Sequence, residues 1–158
     1  MGENTLSDGR GAYAAWKSFH EVDKTPMTLD ILARTYNVTG GKWMMTVPKT
    51  DVDQVWNAVA RAVAEGKLGT SAKVSTSEFP RPTEPGCAHI SVDLLRKETH
   101  VICVYTRDYH DLGDVFRVRH QLFQMGFQSE LHYKPDIYTY CRLYEGNPWQ
   151  ISTSMYRL

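Results

Sequence analysis

The sequence predicts an α+β protein, a mostly antiparallel sheet with helices packed on one face. Some segments repeat apolar residues at the spacing of a helix, and others alternate apolar with polar residues as strands do. The last third of the chain holds strand-like segments in succession, which favours antiparallel pairing. With 158 residues, the chain has the length of one domain, which we place at 13–158.

The first part of the chain predicts two helices and a strand after a disordered start. Residues 1–12 are rich in Gly, Ser, Asn and acidic side chains, and we expect them to be disordered. An aromatic residue at every third position over 13–19 predicts a short amphipathic helix. A capping hydroxyl followed by one apolar face predicts a second helix over 28–37. A strand is predicted over 42–47.

The middle of the chain contains the most regular helical pattern. Over 50–65 the apolar residues fall at i, i+3, i+4, i+7 and i+8, which predicts a helix that packs on the sheet. A short strand is predicted over 72–76. Three prolines lie in the first half of the segment 77–98, which we expect to be a long loop, either functional or mobile. Residues 99–105 are apolar on both sides and predict a central strand.

The last part of the chain predicts one more helix and three strands. Apolar residues at helical spacing place the helix over 111–125. Segments rich in aromatic and β-branched residues predict strands over 129–134, 137–145 and 149–156. The order of these elements is what an antiparallel sheet with helices on one side requires.

Alternation sorts the strand side chains into two faces, and the face away from the helices mixes cations with rings. Its members are Lys42, Thr46, Lys73, Ser75, His100, Glu130, His132, Lys134, Tyr138, Tyr140, Arg142 and Tyr144. Lysine and arginine can bind phosphates, and aromatic rings can stack on bases for ~1–3 kcal/mol per base. The plainer explanation is that wet sheet faces use these residues for their strand propensity.

The leading hypothesis is a non-enzymatic binding protein that takes a nucleotide or single-stranded RNA on this face and needs no cofactor. Two lysines and an arginine would meet phosphates, a histidine would form a hydrogen bond and three rings would stack. These predicted ligand-binding residues are Lys73, His132, Lys134, Tyr138, Tyr140, Arg142 and Trp149.

A second cluster keeps an enzymatic alternative open. Asp108, His110, Asp111 and Asp114 follow the central strand. Carboxylates near an imidazole can hold a metal or act as acid and base, so they favour a metal-dependent hydrolase or transferase for a small phosphorylated molecule. Capping of the following helix by Asp111 or Asp114 is the plainer explanation.

Composition excludes several classes of protein. Eighteen basic residues balance eighteen acidic ones, which excludes a histone-like or polybasic protein. Three cysteines without close spacing give neither a disulfide framework nor a zinc site. No long apolar stretch and no basic-then-apolar leader occurs, so we expect a cytoplasmic protein without a membrane partner.

Five sequence strings resemble a known family. They are GKWMM at 41–45, the pattern over 56–68, AKVS at 72–75, HVICVYT at 100–106 and YKPDIYTY at 133–140. The chain closely resembles the basophilic leukaemia expressed protein family, which has the fold of the mRNA cap-binding translation initiation factors. The resemblance covers nearly the whole chain and implies a curved antiparallel sheet with helices on its convex side.

The resemblance implies no catalytic residues, and it argues against cap recognition by the usual mechanism. Cap-binding factors sandwich the methylated guanine between two loop tryptophans and read its edge with an adjacent glutamate. Here no Trp-Glu pair exists, and Trp43 and Trp56 fall in regular elements. We also expect the chain to depart from the family by lacking an N-terminal extension that would add a strand, and the sheet therefore to have an open edge. Such an edge favours self-association or a protein partner, and a protein-interaction scaffold is a third hypothesis.

Overall fold

The helices and strands follow the predicted order over most of the chain. The computed structural model describes residues 6–75 and 99–158, so the predicted loop over 77–98 lies outside the described residues. The elements are α1 (Gly9–Ser18), a 3₁₀ helix (Glu21–Asp23), α2 (Pro26–Thr35), β1 (Gly41–Pro48), α3 (Val52–Ala64), β2 (Ser71–Val74), β3 (Thr99–Thr106), α4 (Leu112–Gln124), β4 (His132–Pro135), α5 (Asp136–Tyr140) and β5 (Tyr156–Arg157).

The five strands of the described chain form one sheet in the order β2-β3-β1-β4-β5, and every neighbouring pair is antiparallel. The pairing of β1 with β3 runs along the full length of both strands, from Gly41 opposite Thr106 to Pro48 opposite Thr99. These pairings confirm the predicted α+β class and its antiparallel sheet. Among the described strands, β2 and β5 are the edges.

One face of the sheet is buried, as the alternation of side chains predicts. Trp43, Met45 and Val47 on β1 are buried, and Trp43 lies opposite the buried Val104 of β3. The indole Nε1 of Trp43 donates a 2.9 Å hydrogen bond to the carbonyl of Val115 on α4. Because a buried indole N–H needs an acceptor, this bond fixes α4 against the face that carries Trp43.

The predicted strand over 137–145 is wrong, because the chain turns into α5 directly after β4. The backbone N–H of Asp136 donates to the carbonyl of Gly40 at 2.8 Å, which places the start of α5 beside β1. Ile137 and Cys141 are both buried. They lie four positions apart, and this spacing suits one face of a helix as well as one face of a strand. The apolar pattern over 137–145 therefore does not distinguish a helix from a strand.

The remaining differences are an earlier start of α1 and the absence of most of the last predicted strand. The helix predicted from residue 13 begins at Gly9, because the carboxylate of Asp8 accepts a 2.8 Å bond from the Gly11 N–H and caps it. The strand predicted over 149–156 is wrong apart from its last residue. Asn147 holds this stretch in a turn, since its side chain donates to the Ile151 carbonyl and accepts from the Ile151 N–H, at 2.8 and 3.1 Å.

Candidate functional site

The sheet face opposite α4, called the open face below, carries three of the predicted ligand-binding residues. Paired residues of antiparallel strands point to the same side, so the register gives its members. The row nearest α5 contains Ser71 of β2, Tyr105 of β3, Lys42 of β1 and Lys134 of β4. The next row contains Lys73 of β2, Cys103 of β3, Met44 of β1, His132 of β4 and Arg157 of β5.

Lys42 connects the open face to α5. Its ammonium lies 2.5 Å from Oδ1 of Asp136 and 3.2 Å from the hydroxyl of Thr139. The same ammonium lies 5.5 Å from the centroid of the Tyr105 ring, within cation–π range. With only 9% of Lys42 exposed, this ion pair is largely buried. Asp136 therefore neutralises one lysine of the open face.

Lys134 lies directly opposite Lys42 and has no such partner. Its ammonium donates a 2.8 Å hydrogen bond to the Leu143 carbonyl and lies 5.1 Å from the centroid of the Tyr144 ring. No carboxylate of the described residues pairs with it. Lys134 is 8% exposed, and burial, with a smaller contribution from the charge of Lys42, lowers its pKa to about 8. The open face thus holds a buried cation without a counter-ion in the described chain.

The groups between the lysines do not supply the missing negative charge. Burial, followed by the charges of Cys103 and Asp136, raises the pKa of Tyr105 to about 12. Burial also raises the pKa of the Cys103 thiol, against the opposing effect of Lys42 and Lys73. At neutral pH both groups stay uncharged. Tyr105 and Cys103 therefore form an uncharged surface between Lys73 at one edge of the open face and Lys134 towards the other.

Three of the seven predicted ligand-binding residues lie on the open face, namely Lys73, His132 and Lys134. Lys73 is exposed, and half-buried His132 lies 3.2 Å from Glu130 and 3.3 Å from the Ser154 hydroxyl. His100 was also predicted on this face. That assignment is wrong, because His100 pairs with Val47 of the buried face.

The other four predicted residues are not brought together with these three. Tyr138, Tyr140 and Arg142 fall in 137–145, which is not a strand. Tyr138 is buried in the core, where burial raises the pKa of its hydroxyl. Tyr140 is 47% exposed and packs its ring against the backbone of Gly9. The Arg142 guanidinium lies 4.8 Å from the ring centroid of Tyr13.

Trp149 is also held away from the open face. Its ring meets that of Trp16 edge to face, with the centroids 5.2 Å apart. Its Nε1 donates to Oε2 of Glu21 at 2.5 Å, and the ammonium of Lys24 lies 5.0 Å from the ring centroid. Trp149 therefore joins the end of the chain to α1 and the 3₁₀ helix, and its predicted stacking role finds no support in this position.

Sequence reasoning missed Tyr105, Asp136 and Arg157. Tyr105 shares its parity with Cys103, but the strand was predicted to be covered on both sides, so neither was assigned to a surface. Asp136 lies in the gap between the strands predicted over 129–134 and 137–145, so it was assigned to neither face. Arg157 lies one residue beyond the strand predicted over 149–156, and its place on the open face follows only from its pairing with His132.

The second predicted cluster divides into a cap and a hydrogen-bond network. Oδ1 of Asp111 accepts from the Asp114 N–H at 3.1 Å, and this cap begins α4, as the plainer explanation holds. Nδ1 of His110 lies 2.7 Å from Asp108, and its Nε2 lies 2.5 Å from Asp30 of α2. With both ring nitrogens in contact with carboxylates, neither is available as a base while the network is intact.

Asp30 was not predicted, and it is the centre of this network. Burial alone would raise its pKa, but hydrogen bonds from the Tyr109 hydroxyl, His110 and Arg34 together lower the pKa below the ordinary value of an aspartate. Asp30 is therefore charged at neutral pH and ties α2 to the segment after β3. The network is a structural joint between these two elements.

Beside the network lies a cleft of about 680 Å³. Charged groups at its wall include Arg107, Asp108 and Asp136, together with the ring of Tyr140. The part of the chain at 6–75 and 99–158 contains no group of three or more His, Cys, Asp or Glu side chains that could hold a metal ion. The cleft is thus polar and of mixed charge.

Comparison with models of protein families assigns the chain. The model described as basophilic leukemia-expressed protein Bles03 matches residues 9–142, well over half of the chain. The matched range extends from the start of α1 past α5 and includes both Lys42 and Lys134. None of the described helices is long and apolar enough to span a membrane. The chain belongs to the Bles03 family, the basophilic leukemia-expressed proteins.

Proposed function

We propose that this chain is a non-enzymatic binding protein that takes a nucleotide or single-stranded RNA on its open face. The observation that carries the proposal is Lys134, a buried ammonium opposite Lys42 with no carboxylate partner in the described chain. A bound phosphate would supply the missing charge. We further propose the fold of the cap-binding translation initiation factors, which the five-stranded antiparallel sheet supports.

The other groups of the open face fit the remaining parts of such a ligand. Lys73 is exposed on β2 and can meet a second phosphate. Tyr105 is half-buried between the lysines, and Tyr144 is 44% exposed beside Lys134. Cations beside flat rings suit a ligand that carries both phosphates and bases, since each base has a face that stacks.

The test is a titration with a short labelled single-stranded RNA. We expect binding at about 50 mM salt that weakens roughly tenfold at about 200 mM, as a contact with two or three phosphates requires. The double variant Lys73→Ala with Lys134→Ala should bind weakly and with a smaller salt dependence. Arg61→Ala is the matched control, because this exposed cation lies on α3. Absence of binding at low salt, or unchanged binding by the double variant, would contradict the proposal.

A hydrolase or transferase for a small phosphorylated molecule is a second candidate, favoured by one observation. Asp108 contacts His110 and also lines the cleft beside Arg107. A thermal-shift panel of divalent metals and nucleotides separates the candidates. We expect nucleotides alone to stabilise the protein, and equally so in Asp108→Ala. Stabilisation by a metal that Asp108→Ala abolishes would favour the enzyme instead.

A further inference from the structure

We propose that the end of the open face formed by Lys42 and Lys134 seats the terminal phosphate of a nucleotide, so that a phosphomonoester end binds in preference to internal phosphodiesters. This inference rests on the proposed function and specifies the ligand of the same site. It begins from the position of α5, which closes one end of the open face.

Three contacts place α5 and the turn after it across the ends of β1 and β4. The Asp136 N–H donates to the Gly40 carbonyl at 2.8 Å, the Thr139 hydroxyl lies 3.2 Å from the Lys42 ammonium, and the Leu143 carbonyl accepts from Lys134. A ligand that reaches the two ammonium groups therefore meets a wall behind them. The group of the ligand that contacts the two lysines must therefore be a terminal group of that ligand.

Access to the two lysines is also narrow. Lys42 and Lys134 are 9% and 8% exposed, so only a small part of either lysine is open to a ligand. An internal phosphodiester carries a nucleoside on each side, whereas a terminal phosphate projects from one. A terminal phosphate also carries about −1.5 to −2 charges at neutral pH and three acceptor oxygens. This charge and these acceptor oxygens suit a pair of opposed lysines in which Asp136 neutralises only Lys42.

The charged and titratable groups around Lys134 agree with this assignment. Lys42 faces it from β1, His132 lies one row away on β4, and Tyr144 lies beside it on the turn. Asp136 of α5 pairs with Lys42 instead. Burial and the charge of Lys42 hold the pKa of Lys134 near 8, and a bound phosphate would raise it. The preference for a terminal phosphate should therefore weaken as the pH rises above 8.

The experiment compares adenosine with AMP, and the dinucleotide UpU with its 5′-phosphorylated form, by calorimetry at pH 7 and pH 9. At pH 7 we expect each phosphorylated ligand to bind at least about tenfold more tightly than its partner, which is ~1.4 kcal/mol. Lys134→Met should remove this preference, and Arg61→Ala should keep it. At pH 9 the preference should be smaller in the wild-type protein.

The outcomes separate this inference from the proposed function. If neither member of any pair binds, the proposed function fails. If both members bind equally, or if Lys134→Met retains the preference, the seat is not at Lys134, although the open face still binds nucleotides. A preference for AMP without one for phosphorylated UpU would restrict the ligand to free nucleotides.

Discussion

Replacing Asp136 by alanine should lower the free energy of unfolding by about 3 kcal/mol at pH 7. The variant keeps Lys42 and Lys134 opposite each other and removes the carboxylate that neutralises Lys42. Removing one partner of a buried ion pair costs about 3–5 kcal/mol, and we expect the lower end because the Asp136 side chain is 25% exposed. Urea unfolding of the wild type and the variant measures the difference.

Two controls make this result specific. Asp53→Ala removes an exposed carboxylate from the first turn of α3 and should cost less than about 1 kcal/mol. The double variant Lys42→Met with Asp136→Leu removes the pair as a whole and should recover most of the loss. A cost below about 1 kcal/mol for Asp136→Ala would show that the pair does not hold α5 on the sheet.

The Asp136→Ala variant also tests the phosphate seat independently of any nucleotide. With two ammonium groups unneutralised, the variant should gain more stability from inorganic phosphate than the wild type does, at matched ionic strength. The measurement is the shift of the unfolding midpoint in phosphate against chloride. Equal shifts in both proteins would mean that phosphate does not reach the lysines.

The parts of the fold that could be predicted are those whose local pattern has one solution. The stripe of apolar residues in α3 fits only a helix, and the alternation from Trp43 to Val47 places the covered side of β1 correctly. The segment after Pro135 has two solutions, because its apolar spacing suits a helix and a strand. Contacts distant in sequence decide between them, above all the bond from the Asp136 N–H to the Gly40 carbonyl.

The candidate site was predictable only in part for the same reason. The parity of Lys73 and Lys134 follows from local alternation, and both lie on the face that was predicted. The partner of Lys42 is 94 residues away at Asp136, and no local pattern signals such a pair. Tyr138 and Tyr140 were predicted from a strand that does not exist, and Trp149 packs against Trp16, so the proposed stacking role passes to Tyr105 and Tyr144.

Replacing Lys134 by methionine should raise the free energy of unfolding at pH 7 by about 1–2 kcal/mol and abolish the preference for a terminal phosphate. Folding lowers the pKa of Lys134 from 10.5 to about 8, so burying the charged form costs stability at pH 7. The hydrogen bond to Leu143 offsets part of that cost. Methionine fills a similar volume without a charge.

The pH dependence of this gain has a definite sign. Below pH 8 Lys134 is charged in both the folded and the unfolded chain, and the cost of burying it is present in full. Between pH 8 and about 10.5 the folded protein releases the proton while the unfolded chain keeps it, so the wild type gains stability with rising pH relative to Lys134→Met. Unfolding in urea across this pH range measures the difference in free energy of unfolding between Lys134→Met and the wild type, which should become smaller as the pH rises.

Lys73→Met is the matched control, because Lys73 is exposed on the same face and its replacement should leave stability nearly unchanged. If Lys134→Met instead destabilises the protein at pH 7, the ammonium of Lys134 serves the fold through its bond to Leu143. A gain in stability together with the loss of phosphate preference would instead assign Lys134 to ligand binding. A buried charge that weakens the fold and is needed to bind a phosphate belongs to the binding site, since folding alone favours an apolar side chain at that position.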